Sequence, residues 1–294
     1  MNRNALRTWS ANLGLAVLAV ALLFGIWNAV ILIGNLKPYV LPTPQSAVSQ
    51  VIDNWHTLQP LTWQTVKETV EGFFIGAIVG FVLAILMSAY KPVQRLIYPV
   101  LITSQAVPIV AIAAPLVIIF GFGMLPKLLI VTWIVFFPVA VNVLDGLAHI
   151  DADLINLSHV LGATRTREFV HIRLPATLTP LFSGLKIGAT YAVTGAVIGE
   201  WTASANQGLG TYLLSANSSL NVPAVFGAVM LLTVIGVASF VLVGVAEGLT
   251  TPWRRRSTAR RRIRLSGDLT SGGGEEPTPL ALSSTSGSMK GPQQ

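Results

Sequence analysis

The residues of this 294-residue chain that could do chemistry lack the spacing that nucleotide binding needs. No G-x-x-x-x-G-K-[ST] segment occurs, and no G-x-G-x-x-G opens a helix after a strand. Gly208-Leu209-Gly210 is interpreted as a turn in the last external loop. Any ATP used with this protein must therefore be bound by another subunit, and we expect no cofactor on this chain.

Histidines and carboxylates form no catalytic or metal-binding pattern. The four histidines are His56, His149, His159 and His171. They show no H-E-x-x-H spacing, and the lack of cysteine removes thiolate sites and disulfides. Asp151 and Asp153 suit the first turn of a helix, where carboxylates interact favourably with the helix dipole. We therefore predict no metal site and no enzyme activity.

Charged residues inside apolar segments are functional candidates by default in a membrane protein. Lys67 and Glu71 can pair at i, i+4, with Glu68 beside them at the outer interface. Lys186 can extend to the cytoplasm, and Glu200 ends a span at the outer face. They do not form the buried acidic chain expected of a proton-driven carrier, so an ion-gradient-driven carrier or a channel is only the alternative interpretation.

Composition sets the class of protein in which these residues must be placed. The chain is 52% hydrophobic and 11% charged, with a mean hydropathy of +0.67, whereas soluble domains carry about 25% charged residues. Its apolar runs of about 20 residues can cross a hydrocarbon core of ~30 Å. We predict an all-α integral membrane protein with six transmembrane helices, including a retained first helix. The predicted spans are approximately 13–33, 65–89, 97–120, 126–144, 180–200 and 223–247.

The distribution of basic residues predicts the orientation. With the N-terminus inside, 15 of the 19 Lys and Arg residues fall on the cytoplasmic side, which places both termini in the cytoplasm. Seven arginines lie in 254–264, directly after the last span, where they indicate orientation and contact with anionic lipid rather than nucleic-acid binding. We divide the chain into a transmembrane domain, 1–253, and a disordered cytoplasmic tail, 254–294.

The third predicted span is interrupted by prolines and flanked by polar residues. Interior prolines kink helices, and irregular backbone at membrane depth is tolerated only beside protein or a water-filled cavity. A purely structural kink is the alternative. The candidate residues for a translocation path are Ser104, Gln105, Pro108 and Pro115.

Small residues recur four apart on two of the predicted helices. Glycines at this spacing let helix backbones approach closely in lipid. The pattern favours packing inside the bundle, with a dimer face or a moving interface as the alternative. The residues are Gly72, Gly76 and Gly80, then Gly184 and Gly188, then Gly195 and Gly199.

The polar loop 151–175 is predicted to form a helix–turn–helix on the cytoplasmic side. Residues 153–161 form a short amphipathic helix with apolar residues on one stripe, and Gly162 can stop it by adopting a positive φ. Thr164 can cap a second helix, 165–171, with Arg167 and Glu168 on its exposed surface. Leu174-Pro175 is expected to end that helix. An apolar stripe surrounded by polar groups suits insertion into a groove on a partner.

The spacing Gly162, nine residues, Ile172-x-Leu174-Pro175 resembles the coupling-loop signature of binding-protein-dependent ABC importer permeases. SQAVPIVAIAAPLVIIFGFG, FFPVAVNVLDGL and EWTASANQGLG are similar to the nitrate, sulfonate, taurine and bicarbonate permease group, and to permeases for thiamine-precursor pyrimidines. The family's Glu-Ala-Ala is here Asn156-Leu157-Ser158. The resemblance covers residues 1 to about 253 and implies a type I ABC importer permease-like fold.

The resemblance also implies partners and site residues. Two permease copies, as a homodimer, would rest on two ATPase subunits that bind ATP and Mg, and an extracytoplasmic solute-binding protein would deliver the solute across a bacterial cell membrane. The residues expected to contact the ATPase or shape the loop are Asn156, Leu157, Ser158, Gly162, Ala163, Thr164, Arg165, Arg167, Glu168, Ile172, Leu174 and Pro175.

The substrate is not specified by these patterns. No intramembrane arginine is predicted that would hold an anion. A nitrate-, sulfonate- or taurine-like anion and a pyrimidine vitamin precursor both remain compatible with the sequence.

Overall fold

The computed structural model describes residues 3–203 and 207–251, and within these the regular structure is helical. Its helices up to Thr250 form one compact unit. The predicted tail lies outside the described residues. The helices are α1 Arg3–Gly34, α2 Pro44–Asp53, α3 Trp55–Ala89, α4 Lys91–Ser104, α5 Ile109–Phe120, α6 Met124–Ala148, α7 Ala152–Val160, α8 Arg165–Glu168, α9 Leu174–Thr202, α10 Leu209–Ser218 and α11 Val222–Thr250.

Four described helices are long and apolar enough to cross a membrane: Trp55–Ala89, Met124–Ala148, Arg165–Thr202 and Val222–Thr250. The pair α4 and α5 makes a fifth if it counts as one span. The first predicted span lies in α1, whose described apolar part, Leu18–Gly34, is shorter than the others. The all-α membrane architecture is confirmed.

Helix α6 is the centre of the bundle, because α3 and α9 both pack against it through glycines. A Cβ at Gly76 would lie 2.7 Å from Val135 Cβ, and one at Gly184 would lie 2.7 Å from the Pro138 carbonyl oxygen. Without side chains at these positions the backbones approach closely. The predicted packing of the glycine stripes inside the bundle is confirmed. Other glycines that face α6 in the same way are Gly72, Gly80, Gly188, Gly195 and Gly199.

The third predicted span is not one helix. Helices α4 and α5 meet at an angle of 102°, with the break at residues 105–108. Pro108 begins the second helix as its N-cap, as expected of a residue that cannot continue the first. Pro99 and Pro115 lie inside α4 and α5 without ending them. The prediction of a broken span is confirmed, and residues 97–120 do not form one continuous helix.

Helices α2 and α1 flank the first half of α11. Helix α2, capped by Thr43, packs against Gly227, where an added Cβ would meet Val51 at 3.1 Å. Helix α1 reaches the same region through Trp27, whose ring lies 5.2 Å from that of Phe226. Helices α1 and α2 therefore contact the first half of α11.

Candidate coupling loop, path and buried charge network

Residues 151–175, which we name the coupling loop, begin with a capped amphipathic helix. Asp151 accepts a hydrogen bond from the Asp153 backbone N–H at 2.9 Å and caps α7. The apolar stripe of α7 is exposed on this chain: Leu157 is 55% exposed and Val160 is 84% exposed. Asn156 is also exposed, whereas Ser158 is buried and donates to the Ile155 carbonyl oxygen. Exposed apolar patches of this kind mark sites of interaction with another protein or with the membrane.

Gly162 ends α7 as predicted. Its φ is +75°, and its N–H donates to the His159 carbonyl oxygen at 3.0 Å, while the Ala163 N–H donates to the Ser158 carbonyl oxygen at 2.9 Å. This arrangement satisfies the last carbonyls of the helix. Thr164 then caps α8 by accepting a hydrogen bond from the Arg167 N–H at 3.4 Å. The predicted turn glycine and cap are both confirmed.

Glu168 is not on the exposed surface, so that part of the prediction is wrong. Its side chain is only 5% exposed. One carboxylate oxygen lies 2.8 Å from His159 Nε2, and the other accepts a hydrogen bond from Arg173 Nε at 2.6 Å. Glu168 thus ties α7, α8 and the start of the following segment together. The exposed charges of the turn are Arg165 and Arg167.

The second helix of the loop does not stop at Leu174-Pro175, and this prediction is also wrong. A π-helical stretch, Phe169–Arg173, joins α8 to α9, so that one continuous helix runs over Arg165–Thr202. A π turn inserts one extra residue, and it lies just before Pro175, where a regular α-helix would lose a hydrogen bond and clash. Ile172 and Leu174 are half-buried in this segment.

A cavity of about 500 Å³ lies between the coupling loop and the end of α3. Its charged and histidine lining comes from the loop side, with His159, Arg165, Glu168 and Arg173. The apolar stripe of α7 and this basic cavity therefore lie at one end of the bundle, which we call the loop end.

The candidate path residues lie at the break between α4 and α5 or close to it. Gln105, Pro108 and Pro115 are exposed on the single chain, and Ser104 is half-buried with its hydroxyl donating to the Leu101 carbonyl oxygen. In hydrocarbon such a break must face protein or water. Their role in a path stays a prediction.

A second cavity, of about 360 Å³, opens between α3, α9 and α11. Three aromatic rings, from Phe73, Phe74 and Phe182, contribute to its walls, with Thr69 and Ser239 as polar groups. None of its lining residues is charged.

The sequence suggested that Lys186 extends to the cytoplasm, but its side chain is held by a partner. Its ammonium group pairs with the Glu247 carboxylate of α11 and lies 5.9 Å from the centre of the Phe240 ring. The pair joins α9 to α11 inside the bundle.

At the end of the bundle opposite the coupling loop lies a buried network of charges that sequence reasoning missed. Glu68 of α3 and Lys127 of α6 form an ion pair at 2.7 Å, and both side chains are 0% exposed. Gln64 donates to the same Glu68 oxygen at 2.8 Å. The other oxygen, Glu68 Oε2, is buried and has no hydrogen-bond partner among the described residues.

Glu200 of α9 belongs to the same region and holds the start of α10. Its carboxylate accepts hydrogen bonds from the Thr65 hydroxyl at 2.6 Å and from the backbone N–H groups of Gly210 and Thr211. The Leu209 N–H donates to Thr65 Oγ at 2.9 Å. Gly208-Leu209-Gly210 is therefore more than a turn: it is the N-terminus of α10, bound to side chains of two other helices. The sequence signal for this contact is Glu200 near the end of one helix, followed by the Gly-x-Gly of residues 208–210 before the next helix.

The described residues form an all-α, multi-pass membrane fold with an exposed, glycine-stopped loop at one end of the bundle. The model of the family described as binding-protein-dependent transport system inner membrane component matches residues 72–251. The chain belongs to this family, and the resemblance stated from the motifs is confirmed.

Relatives of this chain are transport permeases for several small solutes. The formylaminopyrimidine transport permease protein ThiX of Halalkalibacterium halodurans is 32% identical over 75% of this chain and 88% of its own length. The riboflavin transport system permease protein RibX of Chloroflexus aurantiacus is 31% identical over 83% and 91%. The taurine transport system permease protein TauC of Escherichia coli is 25% identical over 83% and 91%. These relatives are named as transport proteins and not as enzymes.

A solved structure of the MetNI methionine ABC transporter in inward-facing conformations has the same fold. The TM-score is 0.53 at 20% identity, over 64% of this chain and 95% of that chain. The likeness concerns the type I permease fold alone.

Proposed function

We propose that this chain is the membrane-spanning subunit of an ATP-driven importer for a small solute. It would pair with a second permease copy, rest on two ATPase subunits that bind ATP and Mg, and receive solute from an extracytoplasmic binding protein. The exposed apolar stripe of α7 beside the Glu168-fixed turn is the observation that carries the proposal, since it provides a rigid, apolar docking surface outside the bundle.

The proposed orientation follows from the basic residues. The coupling loop carries Arg165, Arg167 and Arg173, and a Lys/Arg excess identifies the cytoplasmic side. The protein would then lie in a bacterial plasma membrane with both termini in the cytoplasm. The end of the bundle that carries Lys127 and Glu200 would face outward.

Within the coupling loop, different residues would have different roles. Leu157, Val160 and Leu161 would contact the ATPase, together with Asn156 and the guanidinium groups of Arg165 and Arg167. Gly162, Ala163, Thr164 and Glu168 would fix the geometry of the turn. Ile172, Leu174 and Pro175 would join the loop to α9.

The translocation path would pass the break between α4 and α5. The break leaves Gln105 exposed on the single chain, where a neighbouring permease copy or water in the path can bind it. Ser104, Pro108 and Pro115 would line the same region.

An experiment on the coupling loop tests the proposal. The substitution Val160→Asp places a charge on the apolar stripe, and we expect the purified permease to lose its ATPase subunit while it still inserts into the membrane. Ala152→Asp is the matched control, because Ala152 is exposed on the same helix but faces away from the stripe. Equal ATPase recovery with both variants would contradict the assignment, and transport by the permease alone would support an ion-gradient-driven carrier or a channel instead.

We infer that the solute is an aromatic heterocycle rather than an anion. The cavity between α3, α9 and α11 has aromatic walls and no charged lining residue, and the relatives named for a pyrimidine and a flavin are more similar to this chain than the taurine permease is. Thermal shifts of the co-purified binding protein with pyrimidines, flavins, taurine and sulfonates test this inference. Stabilisation by an anion alone would overturn it.

A further inference from the structure

The N-cap residue of helix α10 is Gly208, which has no side chain to accept hydrogen bonds. Within α10, Thr211 accepts a hydrogen bond from the Gly208 N–H at 2.8 Å, but the N–H groups that follow need partners from other helices. Those partners are the Thr65 hydroxyl on α3 and the Glu200 carboxylate on α9. The position of α10 therefore depends on two side chains from different helices.

The close approach of Glu200 is built into the sequence around it. A Cβ at Gly208 would collide with the Glu200 carboxylate, and one at Gly210 would lie 2.8 Å from Glu200 Oε2. Trp201 adds a hydrogen bond from its indole N–H to the Gly210 carbonyl oxygen at 2.8 Å. These contacts at the start of α10 are polar, and beside them the apolar side chain of Leu209 is completely buried.

The rest of this end of the bundle is held differently. Helices α3, α6 and α9 are packed through glycines at backbone distance, and such packed interfaces do not deform gradually. Helix α10 is attached to α3 and α9 through hydrogen bonds to Thr65 and Glu200, and it also adjoins α11. A change of access at this end would therefore move α10 more readily than the three packed helices.

We propose that Glu200 and Thr65 are positioning residues that form a latch, which keeps α10 closed over the end of the bundle opposite the coupling loop. Release of α10 from the latch accompanies the opening of that end during transport. This inference rests on the proposed importer function and its orientation. It gives the buried carboxylate of Glu200 a role in holding α10, at the end of the bundle opposite the coupling loop.

Single cysteines test the latch, because the chain has no cysteine of its own. Leu209 and Ala216 of α10 are 0% and 6% exposed, so Leu209→Cys and Ala216→Cys should react slowly with a membrane-impermeant maleimide added from outside. In the assembled complex trapped with vanadate and binding protein, we expect the reaction to be roughly fivefold faster or more. Ser218→Cys is the control, since Ser218 is exposed and should react fast in both states.

The substitution Glu200→Gln links the labelling to the proposed contact. It keeps the size of the side chain but removes the charge, and we expect faster labelling of the α10 cysteines at rest, together with ATP hydrolysis that no longer needs the binding protein. Glu71→Gln is the control, because Glu71 belongs to an exposed ion pair with Lys67 on α3. It should change neither the labelling rate nor the need for the binding protein. If the wild-type complex transports but labelling is the same in every state, the latch is overturned and the importer function stands. If the chain does not assemble with an ATPase, the importer function itself fails.

Discussion

The Glu68 carboxylate of α3 lies 2.7 Å from the Lys127 ammonium group of α6, and both side chains are completely buried. The two residues approach because Gly72, one turn further along α3, has no side chain where it faces Val131. Close helix packing and a buried ion pair thus depend on each other at this site.

Removal of Lys127 should destabilise the protein strongly. Lys127→Met leaves the Glu68 carboxylate buried without its cation, which costs ~3–5 kcal/mol in comparable sites. Thermal unfolding of the purified permease in detergent measures the loss. Lys67→Met is the control, because Lys67 forms an exposed pair with Glu71 at 3.9 Å and such pairs contribute less than about 1 kcal/mol. Equal stability of the two variants would contradict the importance of the buried pair.

Gly76→Ala should push α3 away from α6. The new Cβ would lie 2.7 Å from Val135 Cβ and 3.0 Å from the Thr132 carbonyl oxygen, and overpacking of this kind costs ~1–3 kcal/mol. We expect a lower unfolding temperature and a lower yield of monodisperse protein. Gly25→Ala in α1 is the control, because an added Cβ there has no atom within 4 Å, and it should have neither effect. If Gly76→Ala keeps the wild-type unfolding temperature and yield, the contact between α3 and α6 can relax and the prediction is wrong.

Gly162→Val should reduce ATPase binding through the backbone alone. Its φ of +75° disfavours L-residues, but an added Cβ has no atom within 4 Å. Left-handed backbone costs ~1–2 kcal/mol for most residues and less for Asn. Recovery of the ATPase with the purified permease should therefore decrease in the order Gly, Asn, Val. A Val variant that binds as well as the Asn variant would refute the argument.

Glu168→Ala should loosen the coupling loop. It removes the acceptor of His159 and Arg173, and hydrogen bonds to charged groups contribute about 1.5–3 kcal/mol. We expect weaker ATPase association and faster proteolysis between α7 and α9. The control Asp145→Ala breaks the exposed contact to His149 at 3.3 Å and should leave both unchanged, whereas similar behaviour of the two variants would count against a special role of Glu168.

Local chemistry explains what could be predicted from the sequence. Gly162 and Thr164 form hydrogen bonds only three residues away in the sequence, so the turn and the cap could be predicted from the sequence. Hydropathy similarly located the apolar helices. Pro108 predicted a break, but the angle of 102° depends on how α4 and α5 pack.

Longer-range contacts explain what the sequence did not reveal. Glu168 was predicted to lie on the exposed surface of a short helix, but the π-helical stretch and the contact to His159, nine residues earlier, bury it. Glu68 was placed beside the Lys67–Glu71 pair, Glu200 was placed at the outer face, and Lys127 was not singled out. They meet only when α3, α6 and α9 have packed, and that packing is a property of the whole bundle.

The continuous helix Arg165–Thr202 gives the molecule a mechanical axis. Glu168 fixes one end of it and Glu200 the other, and at 1.5 Å per residue the two lie ~48 Å apart along the helix. In the proposed importer, a push on the coupling loop would therefore travel across the membrane along one continuous helix. The π-helical stretch Phe169–Arg173 lies in that helix beside its Glu168 end, so substitutions there would change how the push is transmitted.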